Sequence, residues 1–279
     1  MTVGIIGLGL IGGSMALALK EHCFAQKIIG TDASAAHEQQ ALQLGLVEAT
    51  MDITSLVQAS DVVVLATPVD AAEKLLPQVL DKVQRGVVLD VGSIKAKLVD
   101  SINKHSKRGR FIATHPMWGT EYSGPAAAVK GAFAGKAVVF CDVDQNDADA
   151  LQIAQQLYSA LGMKPVYMNS ADHDVHVAYI SHMSHITSFA LANTVLEKER
   201  EEDTIFDLAS GGFESTVRLA KSSAATWVPI FMQNKDNVLD VLNEHISQLR
   251  KFKACLEKEN EVYLKELIEG ANRISRIIE

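Results

Sequence analysis

Apolar positions gather in short runs along the first part of the chain: Val3 to Gly7, Lys27 to Thr31, Val62 to Ala66, Val87 to Asp90, Arg110 to Thr114, Ala137 to Cys141 and Lys164 to Met168. Stretches of helical periodicity separate many of them, among them Ser14 to Lys20, Ala71 to Val83, Lys95 to Ser106 and Asp147 to Leu161. Strand and helix alternating in this way predict a mostly parallel sheet with right-handed crossovers. Ligands bind beyond the carboxyl ends of the strands in such sheets. That rule directs attention to Thr67-Pro68, Gly92-Ser93 and His115-Pro116, each placed just after a run.

Near Asn169 the pattern changes. Strand-like runs cease and helical periodicity takes over. Ser170 and Asp172 are residue types that cap helices, and a helical run follows them to about Lys198. From Asn237 to Glu259 the residues Val238, Leu242, Ile246, Leu249, Phe252 and Leu256 recur at three- and four-residue steps. That is the seam of a long packing helix. The reading is an α/β domain over residues 1–168 followed by an all-helical domain over 169–279. A seam of this kind is a poor candidate for exposure to water, so the helical domain is expected to form a two-fold homodimer.

The first strand carries chemistry. Gly7-Leu8-Gly9-Leu10-Ile11-Gly12 follows it and opens a helix, and Asp32 closes the second strand twenty positions later. In this context the glycines read as a dinucleotide-binding fingerprint of the Rossmann type. Gly7 permits the tight turn, Gly9 lets backbone amides approach a pyrophosphate, and Gly12 lets helix and sheet pack closely. The helix N-terminus offers N–H groups and partial positive charge to the phosphates. Asp32 suits the two ribose hydroxyls and repels a 2′-phosphate, so NAD is expected over NADP.

Composition narrows the partners. A formal net charge of −8 argues against nucleic acid. No apolar run reaches membrane-spanning length. The N-terminus enters a strand directly, so no signal peptide is expected. Cys23, Cys141 and Cys255 are scattered, which suits a reducing cytoplasm and gives no metal or redox spacing.

Four further segments stand out: Asp90-Val91-Gly92-Ser93-Ile94-Lys95, Thr114-His115-Pro116-Met117-Trp118-Gly119-Thr120-Glu121, Ile180-Ser181-His182-Met183-Ser184-His185, and Gly211-Gly212 running on to Arg218 and Lys221. With the glycine fingerprint, in this order and spacing, they resemble the prephenate/arogenate dehydrogenase family of tyrosine biosynthesis. The resemblance implies oxidative decarboxylation of a cyclohexadienol: hydride leaves C4 for the nicotinamide, carbon dioxide departs and the ring aromatises.

The resemblance also implies roles. His115 matches the histidine that binds the C4 hydroxyl and accepts its proton; read alone, it is equally a buried histidine at a strand end. Ser93 matches the serine bridging that histidine and the substrate hydroxyl, and it also reads as a helix N-cap. Arg218 matches the arginine that clamps a substrate carboxylate, within or across subunits. His182 and His185 share a helical face and match a polar pocket wall; read alone, they are also core histidines. A zinc site there lacks a third ligand, so no metal is expected. Thr120 and Glu121 close their loop, Glu121 as a ligand contact, a gate or a solvated acid. Trp227 matches an aromatic position near the site and equally reads as a packing residue. Ser184 stands where proline is usual in the family, which bears on the local helix. The chain has no length left for the tyrosine-binding domain or fused chorismate mutase of many relatives, so inhibition by tyrosine is expected at the active site.

The leading expectation is thus an NAD-dependent, cytoplasmic prephenate dehydrogenase. Cofactor contacts fall to Gly7, Leu8, Gly9, Leu10, Ile11, Gly12, Asp32, Thr67, Pro68 and Ser93. An arogenate dehydrogenase is the alternative. A 3-hydroxyacid dehydrogenase, resting on a catalytic lysine, and a non-catalytic NAD-binding protein are more distant ones.

Overall fold

A computed structural model describes residues 1–199 and 205–277. Eight strands form one sheet: β1 (Thr2–Ile6), β2 (Lys27–Thr31), β3 (Ala49–Thr50), β4 (Val62–Leu65), β5 (Val87–Asp90), β6 (Phe111–Pro116), β7 (Ala137–Cys141) and β8 (Lys164–Met168). Their order is β3-β2-β1-β4-β5-β6-β7-β8. Every neighbouring pair is parallel except β6 and β7. The sheet turns back on itself between β2 and β4, with β1 in the middle. This is the strand arrangement of a doubly wound nucleotide-binding sheet.

Side chains alternate along each strand, so both faces are core. Val3 and Ile5 of β1, Val62 and Val64 of β4 and Phe140 of β7 pack with α1 (Leu10–Glu21) and with Leu157 and Tyr158. Ile6, Val63, Leu65, Val88 and Phe111 face the other way. They pack on α3 (Ile53–Ala59), α4 (Val69–Lys82) and α5 (Ala96–Ser101), which follow α2 (Ala35–Gln43) in the chain. The face of α1 is completed by α6 (Ala148–Ala160).

All seven strands expected from the sequence are present. The two-residue β3 has too short a pattern to be read in advance. Three details differ. Pairing with β7 carries β6 through His115 and Pro116, so His115 sits within the strand rather than beyond it. The helix expected from Lys95 to Ser106 ends at Ser101. Ser93 does not cap it: Lys95 occupies that position, and the Asp174 carboxylate receives the first N–H groups instead.

After β8 the described chain is helical. Asn169, rather than Ser170 or Asp172, caps α7 (Ser170–Val177), its side chain accepting from the Asp172 N–H. A π-turn over Ala178–His182 joins α7 to α8 (Met183–Glu199). Then come α9 (Gly211–Val217), the short turn Arg218–Lys221 and α10 (Ala224–Gln233). These helices belong with the sheet to one compact unit, Met1–Asn234; Lys235–Glu279 is a second unit. The second unit holds α11 (Lys235–Glu257) and α12 (Glu261–Asn272) packed together. Along its seam Val238 is buried, but Leu249 and Leu256 are exposed, as are Val262 and Ile268 of α12. Among the described residues no helix is long and apolar enough to cross a membrane.

Candidate active site at the strand ends

The glycine turn is built as its spacing predicts. Gly7 adopts φ +97°, a conformation closed to ordinary side chains. A Cβ on Gly12 would collide with the Gly7 carbonyl. The space beside Gly9 is open, and no side chain caps the first turn of α1. Its first N–H groups therefore lie ready for an anion. The Thr67 hydroxyl, just past β4, is buried without a partner, an atom a ligand would satisfy. Asp32 does more than the sequence implies. Its Oδ2 accepts the Leu8 N–H at 2.8 Å and its Oδ1 accepts the Ser34 N–H at 2.9 Å. The carboxylate thus pins the glycine turn to the end of β2. Lone pairs remain on both oxygens for hydroxyl donors. These residues fit a dinucleotide.

A chain of buried polar groups lies past β5 and β6. Lys95 and Asp90, both fully buried, form an ion pair. Lys95 Nζ also donates to the Thr114 carbonyl at 2.8 Å. The Thr114 hydroxyl bonds the Asp90 carbonyl and, at 2.5 Å, the Tyr158 hydroxyl. The residue before His115 is thereby fixed from three sides. His115 is half-buried, and its Nδ1 lies 2.9 Å from Nε2 of His173 on α7. His173 Nδ1 lies 2.8 Å from Asp174 Oδ1. Burial first, then the charges of His173, Lys95 and His182, holds His115 well below its ordinary pKa. His115 is therefore a neutral imidazole near pH 7, able to accept a proton. Ser93, just past β5, is half-buried, but the hydrogen-bond partner of His115 is His173.

The helices bring a second wall. His185 stacks on Trp227, ring centroids 3.4 Å apart, and donates from Nδ1 to the Ser181 carbonyl. His182 meets Trp227 and Phe231 edge-on. Trp227 and Phe231 in turn pack on Val69, Ile94 and Ile230, so Trp227 is both a packing residue and part of this wall. Asn234 donates to the Asp174 carbonyl at 2.7 Å and lies 3.3 Å from His182 Nδ1. Where proline is usual in the family, Ser184 donates its hydroxyl to the Ile180 carbonyl inside the π-turn. A π-turn of this kind often marks a functional position in a helix. Among the described residues no cluster of three potential ligands could hold a metal ion.

Arg218 and Glu121, singled out separately in the sequence, meet. Arg218 Nη1 donates to Glu121 Oε2 at 2.9 Å, with Arg218 half-exposed. The pairing is made within one chain. The Glu121 carboxyl is held below the usual range by its own backbone N–H and by Arg218. Thr120, exposed, accepts the Tyr122 N–H.

Lys95, His173, Asp174 and Asn234 are the site residues that sequence reasoning missed. Lys95 lay inside a quoted motif. The other three carry no local signal, because the partners that tie them to the strand ends and to one another's helices lie 52 to 79 positions away.

Comparison with known proteins agrees with this geometry. Residues 15–167 match the family profile described as prephenate dehydrogenase, nucleotide-binding domain. Residues 169–270 match prephenate dehydrogenase, dimerization domain. The chain is 33% identical over 263 residues to a prephenate dehydrogenase of Bacillus subtilis, covering 93% of this chain and 71% of that one. It is 28% identical to a cyclohexadienyl dehydrogenase of Zymomonas mobilis, covering 95% and 91%. Among solved structures it superposes on a prephenate dehydrogenase of Aquifex aeolicus in complex with hydroxyphenyl propionate and NAD+. The TM-score is 0.91 at 29% identity, covering 100% of this chain and 98% of that one.

Proposed function

The chain belongs to the prephenate dehydrogenase family, and from that premise we propose that it catalyses the NAD-dependent oxidative decarboxylation of prephenate to 4-hydroxyphenylpyruvate and carbon dioxide. The observation that carries the reading is the neutral, half-buried His115 at a strand end of the sheet that also bears the glycine turn.

NAD+, when bound, supplies the hydride acceptor. The amides after Gly9, the Thr67 hydroxyl and Asp32 would hold it, with Leu8, Leu10, Ile11 and Pro68 shaping the same rim. His115 takes the proton of the C4 hydroxyl, and the electron pair of that O–H bond closes the carbonyl as C4 is oxidised. The pair of the carbon–carboxylate bond then enters the ring, carbon dioxide departs and the oxygen regains a proton as a phenol. Aromatisation drives this last step, so the protein's task is orientation and proton transfer.

Ser93, as the family resemblance implies, would share the substrate hydroxyl. Arg218, with N–H groups beyond the one given to Glu121, clamps a substrate carboxylate. Glu121 and Thr120 line the entrance. Trp227 and the stacked His185 supply a flat wall for the ring, with His182 buried behind Trp227 rather than lining the surface. Residues 1–168 form the cofactor domain and 169–279 the substrate and dimerisation domain. The exposed apolar residues of α11 and α12 favour a homodimer through the latter, in the cytoplasm. Arogenate, with an amino group in place of the side-chain keto group, is the second substrate to test.

The purified protein is incubated with NAD+ or NADP+ and with prephenate or arogenate, and reduced cofactor is followed by absorbance. Turnover with NAD+ and prephenate is expected. Turnover with arogenate alone would reassign the substrate, and none with either would refute the reading.

A further inference from the structure

A histidine that accepts a proton must present an unprotonated nitrogen to the donor, and an imidazole can hold its single proton on either side. The surroundings of His115 decide which. The series begins at Asp174, 3% exposed, whose carboxylate only accepts. It takes the Lys95 N–H on Oδ1 and the Ala96 N–H on Oδ2, each at 2.9 Å. It also faces His173 Nδ1 at 2.8 Å, so that nitrogen carries the proton. His173 is 1% exposed, and burial keeps it neutral. Its Nε2 is therefore a lone pair. The nitrogen facing that lone pair at 2.9 Å is His115 Nδ1, which must be the donor. A neutral His115 with its proton on Nδ1 has Nε2 unprotonated.

We propose that His173 and Asp174 are positioning residues that fix His115 in its Nδ1–H tautomer, leaving Nε2 as the atom that receives the substrate proton. The proposal rests on the reading of His115 as proton acceptor for its consequence in catalysis, but the tautomer is a property of the folded protein alone. The proton taken from the hydroxyl adds to Nε2. The resulting imidazolium is held through Nδ1–H to His173 and, beyond it, to the Asp174 carboxylate. The three residues come from β6 and α7, with His115 and His173 separated by 58 positions, so the seating of α7 against the sheet sets the protonation of the strand-end histidine.

Two measurements test this. Histidine-selective ¹⁵N NMR on the NAD+-saturated protein reads the tautomer directly, with His115→Asn assigning the resonances. His115 is expected to show a protonated Nδ1 and an unprotonated Nε2. The opposite pattern in the unaltered protein overturns the proposal whatever the activity. The second measurement reverses the series. In Asp174→Asn an NH₂ in the Oδ1 position donates to His173 Nδ1 and the amide oxygen keeps the Ala96 N–H, while the Lys95 N–H loses its acceptor, a capping loss for which the His173→Phe background below controls. The proton then moves to His173 Nε2, and from there His115 is forced into the Nε2–H form. Turnover should fall by roughly 10²–10⁴-fold, with the Michaelis constant for prephenate changing less than about threefold. In a His173→Phe background no series remains, so adding Asp174→Asn should change turnover by less than about threefold. An equal loss in both backgrounds would mean that Asp174 acts only by capping α5, and would overturn the proposal. A reversed tautomer with undiminished turnover would uphold the series and instead refute His115 as the proton acceptor.

Discussion

His182 offers a quantitative test of how the site is built. It is 1% exposed, its Nδ1 faces the NH₂ of Asn234, and its Nε2 is buried without a partner. The amide can only donate, so Nδ1 must be the acceptor. Protonating it would set two donors against each other in a dry pocket. Burial is the first cause that lowers its pKa from 6.5 to about 4. The folded protein therefore refuses a proton that the unfolded chain accepts. Stability from this group is complete above pH 6.5 and is lost as pH falls from there toward about 4. From those two values the loss is about 2 kcal/mol by about pH 5, and about 3 kcal/mol by about pH 4.

The perturbation is His182→Gln, which has no charged form in this range. Denaturant unfolding at one fixed protein concentration, at about pH 7.5 and about pH 5, gives the pH-dependent part for each protein. Groups distant from His182 contribute equally to both, so the difference reads His182 together with its coupling to Asp174, His115, His173 and His185. The unaltered protein should lose about 2 kcal/mol more than the variant between these pH values. A lower starting stability of the variant does not affect the comparison, because only the change with pH is read. Equal losses would refute the assignment of His182 as a buried neutral imidazole that accepts from Asn234.

Further outcomes follow from the same geometry. His115 is held well below its ordinary pKa, so it stays unprotonated into mildly acid solution; kcat/KM should hold from neutral pH down through 6.5 and fall only well below it, and an acid limb at or above 6.5 would contradict this. Asp32→Ser removes both the 2′-phosphate repulsion and the bond to the Leu8 N–H; NAD+ affinity should drop and discrimination against NADP+ should narrow in steady-state assays, and unchanged selectivity would refute the role. Arg218→Ala should raise the Michaelis constant for prephenate strongly while lowering turnover less, with Arg218→Lys restoring only part, since it keeps the charge and loses the fork; a loss confined to turnover would refute the carboxylate clamp. Sedimentation at micromolar concentration should give a homodimer, and a monomer would contradict the reading of the exposed residues of α11 and α12.

Much of this fold is legible because its signals are local. A buried strand announces itself in four or five consecutive apolar residues, and Gly7, Gly9 and Gly12 announce a turn in six positions. Asp32 is legible for the same reason, at the end of a strand already marked. What local pattern does not carry is pairing. Nothing near His115 points to His173, and nothing near Lys95 says that its backbone N–H will be capped from α7. The end of β6 escapes the pattern on the same account: Thr114 closes the apolar run, but pairing of His115 with Val139 on β7 extends the strand. The π-turn was hidden too, because the sequence there is compatible with an uninterrupted helix.

The buried polar groups past β5 and β6 are costly to maintain, which makes their placement informative. A fully buried ion pair adds little net stability compared with apolar residues of the same size. Lys95 nevertheless joins three elements: its ammonium holds Asp90 of β5 and the Thr114 carbonyl of β6, while its amide is held by Asp174 of α7. Its neighbours along the same path are Thr114, immediately before His115, and His173, directly bonded to it. The series thus leads to the ring of one histidine, through His173, and to Thr114, the residue before it. If these groups served stability alone, they would have no reason to converge there. Convergence on a neutral imidazole with one nitrogen unengaged is what orienting a proton acceptor requires, and it places the energetic cost of the buried charges at the point where orientation matters most.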